Sequence, residues 1–101
     1  MYGLTPSELQ TILQILQMFP EIDEAVLFGS RAMGREKRGS DIDIALKGVG
    51  IESIASDVSQ VLNSESPLPY YFDIIDYYSI TEQELRDHID RVGKTIYSKN
   101  P

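Results

Sequence analysis

The chain has 101 residues, 42% hydrophobic and 25% charged, with a net charge of −7 and no cysteine. That composition fits one small globular domain over residues 1–101 with no room for a second, substrate-binding domain, and it excludes disulfide scaffolds and cysteine-ligated metals. A chain this acidic is badly matched to nucleic-acid phosphates, so no direct nucleic-acid contact is expected, and a basic protein partner or bound cations suit it better.

The N-terminus, MYGLTPSELQ, has neither a basic start nor a continuous apolar stretch, and no apolar run reaches the roughly 20 residues of a membrane span. A cytoplasmic protein with no membrane contact is therefore expected. Thr5-Pro6-Ser7-Glu8 reads as a capping box with proline at the first helical position. Leu9, Ile12, Leu13, Leu16 and Phe19 then recur at helical spacing until Pro20. Glu24 to Gly29 reads as a buried strand ended by glycine. A short helix is expected over Ser30 to Met33, then a polar loop from Arg35 to Ser40. From Asp41 to Lys47 the pattern alternates, with Ile42, Ile44 and Leu46 on one face and Asp41, Asp43 and Ala45 on the other.

Ile51, Ile54, Ala55, Val58, Val61 and Leu62 form the next helical stripe, and Tyr71 to Tyr77 reads as a third strand. A second capping box at Thr81 to Glu84 opens a helix to about Val92. The tail from Lys94 to Pro101 is expected to pack as a short extension or to fray. The predicted architecture is α/β (α+β): a small mixed three-stranded sheet packed with about four helices.

Asp41 and Asp43 lie two apart on a strand and so share a face. Two like charges this close raise each other's pKa unless cations neutralise them, and hard carboxylate oxygens favour Mg²⁺. A pair of such ions is the usual apparatus for displacement at phosphorus. A third carboxylate should come from the third strand, where Asp73 and Asp76 both qualify; strand parity favours Asp73, opposite to Phe72 and Ile74. Gly29 permits close backbone approach. The Ser30 hydroxyl and the N–H groups after it can cradle phosphate oxygens. Arg31, Arg35, Lys37 and Arg38 place four of the nine basic residues within eight positions between the Gly-Ser pair and the aspartates. His88 is expected at the surface. Tyr70, Tyr71, Tyr77 and Tyr78 bracket the third strand, either packing at its ends or stacking on a nucleobase or forming a partner interface.

Gly29-Ser30, ten residues, then Asp41-Ile42-Asp43 resembles the GS-x10-DxD signature of the DNA polymerase β nucleotidyltransferase superfamily. The longer string GSRAMGREKRGSDIDIAL, with FDIIDY after it, is similar to the minimal nucleotidyltransferase (MNT) proteins. The resemblance spans Leu4 to Tyr97. It implies a polymerase β-like core in which Asp41, Asp43 and Asp73 hold two Mg²⁺ ions and act in catalysis, while Gly29, Ser30, Arg31 and Ser40 bind the nucleotide phosphates. It implies ATP as donor and a HEPN-domain toxin as partner, whose tyrosine takes AMP, so that this chain acts as the antitoxin. Two other functions stand beside it: a non-catalytic module that neutralises its partner by binding, and a nucleotidyltransferase acting on a small molecule.

Overall fold

The computed structural model describes residues 1–99. Helix α1 covers Pro6–Gln17, and its capping box forms as the sequence predicts: the Thr5 hydroxyl accepts from the Glu8 N–H, and the Glu8 carboxylate accepts from the Thr5 N–H. Strand β1 covers Glu24–Phe28 and β2 covers Ile42–Lys47. Helix α2, Ile51–Gln60, runs into a π-helical turn over Val61–Glu65. Strand β3 is Phe72–Asp76, followed by a 3₁₀ turn at Tyr77–Ser79, helix α3 at Gln83–Val92 and strand β4 at Lys94–Ser98.

The sheet has four strands rather than three, in the order β3-β2-β1-β4. β1 pairs antiparallel with β2 and β4, and β2 pairs parallel with β3. The added strand is the tail expected to extend or fray. KTIYS is short and half-exposed, and it becomes a strand because β1 would otherwise leave one edge unpaired. Gly93 makes the tight entry possible: a Cβ there would run into the Ile89 carbonyl and the Val26 side chain. Asn100 and Pro101 lie outside the described residues.

Two further expectations are corrected. Residues 30–34 form a hydrogen-bonded turn and not a helix, closed by Met33 N–H to the Gly29 carbonyl at 3.3 Å and Arg35 N–H to the Ser30 carbonyl at 2.8 Å. The capping box at Thr81 does not form either; α3 starts one residue later, on Glu82, with no side-chain cap, and Arg86 instead donates to the Ile80 carbonyl.

Strand alternation divides the core in two. Ala25, Leu27, Ile42, Ile44, Leu46 and Phe72 face α1 and α2 in the main core. Val26, Phe28 and Ala45 face the other way and pack with Ile80 and Ile89, the latter from α3. Helix α3 packs across β1 on this second face, leaving the β2–β3 side of it open to solvent near the start of the strands.

Candidate active site

The open part of the second face carries the aspartates. Ile42 and Ile44 are wholly buried on the α1/α2 side, so Asp41 and Asp43 project from the opposite side. Asp43 is in direct register with Asp73 on β3. Phe72 and Ile74 pack into the main core and Ile75 into the second, so Asp73 shares the face of Asp43. The start of β3 is fastened by Asn63, whose amide accepts from the Phe72 N–H at 2.7 Å and donates to its carbonyl at 2.9 Å. Asp76 is engaged elsewhere: its carboxylate caps the 3₁₀ turn, accepting from the Tyr78 N–H and the Ser79 hydroxyl.

Asp43 is half-buried, and its pKa is raised above the ordinary carboxylate value, first by burial, then by the negative charges of Asp73 and Asp41; His88 acts in the opposite direction. The aspartates thus form a negative cluster. Among the described residues no three acidic or histidine side chains are preassembled around one metal position. The donor chemistry, three short carboxylates on two rigid neighbouring strands, fits hard divalent ions.

The Gly-Ser half of the candidate site lies across β1. Phe28 is paired with Asp43, so the chain leaves β1 beside that carboxylate. Gly29 has φ +77°, and a Cβ there would collide with Asp43 Oδ2. Only glycine satisfies both constraints. In the turn that follows, the Ser30 hydroxyl and the N–H groups of Ser30, Arg31 and Ala32 donate to no protein atom among the described residues. A row of free donors next to an acidic cluster is a suitable seat for an anion that arrives with cations.

Arg31 and Ser40 are bonded to each other across the loop. The Arg31 side chain is 2% exposed. Its Nε and Nη2 donate to the Ser40 carbonyl at 3.1 and 2.8 Å, and its Nη1 donates to the Tyr2 carbonyl at 2.9 Å. Its guanidinium stacks 4.8 Å from the centre of the Tyr70 ring, and the Tyr70 hydroxyl donates to Glu8 on α1. The Ser40 hydroxyl accepts from the Lys37 N–H. Arg31 therefore ties the start of the ten-residue loop to its end, fixing Ser30 relative to Asp41. A cleft of about 580 Å³ opens beside Arg31, lined also by Lys37, Arg38 and Tyr70. None of the three aspartates lines it; their own face is an open surface.

The tyrosines divide. Tyr70 and Tyr77 pack, Tyr77 donating to Asp90 at 2.6 Å. Tyr71 and Tyr78 are exposed. His88, expected at the surface, is half-buried and reaches the site: its Nε2 accepts from the Gly29 N–H at 3.3 Å. A contact across 59 residues leaves no local signal in the sequence.

A family profile described as "Polymerase beta, Nucleotidyltransferase" matches residues 10–101. The Haemophilus influenzae protein named "Probable protein adenylyltransferase MntA" is 32% identical over 93 residues, 91% of this chain and 81% of that one. A crystal structure of a toxin–antitoxin with AMP-PNP is similar over 91% of this chain and 74% of its own, with a TM-score of 0.74 and 26% identity. A complex of tri-AMPylated Shewanella oneidensis HEPN toxin with MNT antitoxin shares the fold, with a TM-score of 0.58 and 22% identity over 89% of this chain and 69% of its own. The sheet order, the Gly-Ser turn against paired aspartates and the sequence match over most of the chain agree: this chain belongs to the polymerase β nucleotidyltransferase family, on its minimal (MNT) branch, and is a nucleotidyltransferase.

Proposed function

We propose that the chain moves AMP from ATP to a tyrosine hydroxyl of a HEPN-domain protein and thereby serves as the antitoxin to that toxin. The observation that carries this reading is the register of Asp43 with Asp73 beside the free donors of the Ser30 turn. The relatives add the donor and the partner: one is named a protein adenylyltransferase, one structure is of a toxin–antitoxin with AMP-PNP, and another has an AMPylated HEPN toxin beside an MNT antitoxin.

Asp41, Asp43 and Asp73 would hold Mg²⁺, two ions in the full set, whose chemistry is to neutralise the charge that builds on the phosphates during displacement. The other steps are assigned to the chain's own groups. The Ser30 hydroxyl and the N–H groups of the turn take the β- and γ-phosphates, with Gly29 letting the backbone come close. Arg31 and Ser40 contribute by holding that turn in place against Asp41. Asp73 is exposed on the edge strand, where an acceptor can reach it, and takes the hydroxyl proton as the oxygen attacks the α-phosphorus. Pyrophosphate leaves.

The test uses ATP labelled at either the α- or the γ-phosphate, with Mg²⁺ and the HEPN partner. Label on the partner from α-labelled but not γ-labelled ATP supports transfer of AMP. A tight complex that takes up neither label would replace this reading with neutralisation by binding alone.

A further inference from the structure

We propose that His88 of α3 is a positioning residue for nucleotide binding, acting through the Gly29 amide. The inference rests on the reading of the Ser30 turn as the phosphate seat and adds a component that the Gly-Ser and aspartate motif does not contain.

Three observations meet at one point. The Gly29 N–H donates to His88 Nε2 at 3.3 Å. The same glycine, at φ +77°, lies so close to Asp43 Oδ2 that no Cβ fits between them. Among the described residues, the next three N–H groups and the Ser30 hydroxyl have no partner. So of the consecutive donors at the end of β1, the first is held by His88 and the others are left open. A left-handed glycine without a partner for its N–H would be free to rotate its peptide, and rotation there would turn the following donors away from the aspartates. His88 removes that freedom.

The imidazole is itself well held. It meets the buried Phe28 ring edge to face, with centroids 6.3 Å apart and planes at 80°. It precedes Ile89, which is 2% exposed and anchors α3 on the sheet. Helix α3 thus does more than cover the second core. It sets the phosphate turn against Asp43.

The test separates the acceptor from the ring. His88→Ala loses both; His88→Phe keeps a ring against Phe28 without an acceptor; His88→Gln offers Oε1 near the place of Nε2. Loss of one hydrogen bond that orders the turn corresponds to roughly a two- to tenfold effect. We expect His88→Ala and His88→Phe to raise the ATP KM, and the Kd of ATP measured without acceptor, by that factor. The change in kcat should be smaller, and His88→Gln should recover most of the loss. Hydrogen exchange at the Gly29 amide should speed up in the Ala and Phe variants and slow again in Gln. If Phe restores binding and Gln does not, His88 is only packing and the inference falls. Unchanged exchange at Gly29 in the Ala variant would overturn it as well. The Kd and exchange measurements need no acceptor. Failure of wild type to modify a HEPN protein would therefore refute the proposed function while still leaving His88 decided by its own variants.

Discussion

Replacing Asp43 by asparagine should make the free protein more stable while destroying its activity. Asp43 has Asp73 directly beside it on the neighbouring strand and Asp41 two residues away, and burial together with these two charges raises its pKa. Neighbouring strands are about 4.8 Å apart. Two like charges at that spacing repel by roughly 1 kcal/mol in water and by several times more at the effective dielectric of a protein surface. Solvent around the exposed Asp41 and Asp73 keeps the relief near the lower figure, so Asp43→Asn should gain about 1 kcal/mol at neutral pH. In a domain of this size that corresponds to a rise in Tm of about 4–8 °C. The pH dependence has a definite sign. Because Asp43 binds its proton more tightly in the folded state, its favourable contribution is fully present below the ordinary carboxylate value of 3.8 and is lost as pH rises through its raised folded value. The stability advantage of Asp43→Asn should therefore be full at pH 7 and shrink on acidification. Glu8, whose pKa is lowered by its bonds to Thr5 and Tyr70, works in the opposite direction in both proteins and cancels in the difference. Urea unfolding of both proteins between pH 7 and pH 4, in chelator, measures this directly. A variant less stable than wild type at pH 7, or an advantage that grows on acidification, would refute the reasoning.

Other substitutions probe the remaining parts. Gly29→Ala should abolish transfer and lower stability by about 1–3 kcal/mol, since it combines a left-handed backbone with a collision against Asp43; thermal melts and label transfer read the two effects. Arg31→Ala leaves the Ser40 and Tyr2 carbonyls without their donors and should cost about 2–4 kcal/mol in urea unfolding, with weaker ATP binding because the turn loses its tie to Asp41. Arg31→Lys should recover only part of that, since one ammonium cannot reproduce the guanidinium fork. Thr5→Ala should lose about 0.5–2 kcal/mol through the α1 cap without altering the ATP Kd.

Much of the fold was legible because local chemistry and tertiary structure agree. The Thr5 box caps α1, and the alternation from Asp41 to Lys47 puts isoleucines inward and aspartates outward. Parity at Phe72 and Ile74 was enough to put Asp73 on the aspartate face, and Asp76 went to a cap. What the sequence hid depends on distant partners. Lys94–Ser98 has little apolar signal of its own and becomes a strand through the free edge of β1. A run of basic residues says nothing about which one is buried, so the sequence did not reveal that the Arg31 guanidinium fastens the loop. His88 sits in a polar stretch of α3, and only the packing of that helix on β1 brings it to Gly29.

The central claim is that these aspartates transfer a nucleotide to a protein partner. Intact-mass spectrometry of the HEPN partner, after incubation with this chain, Mg²⁺ and each of the four nucleoside triphosphates in turn, tests it most directly. The account predicts a mass gain of one or more AMP groups with ATP, absent when Asp41 or Asp43 is replaced by asparagine. No gain with any nucleotide, while the two proteins still form a stable complex, would contradict it.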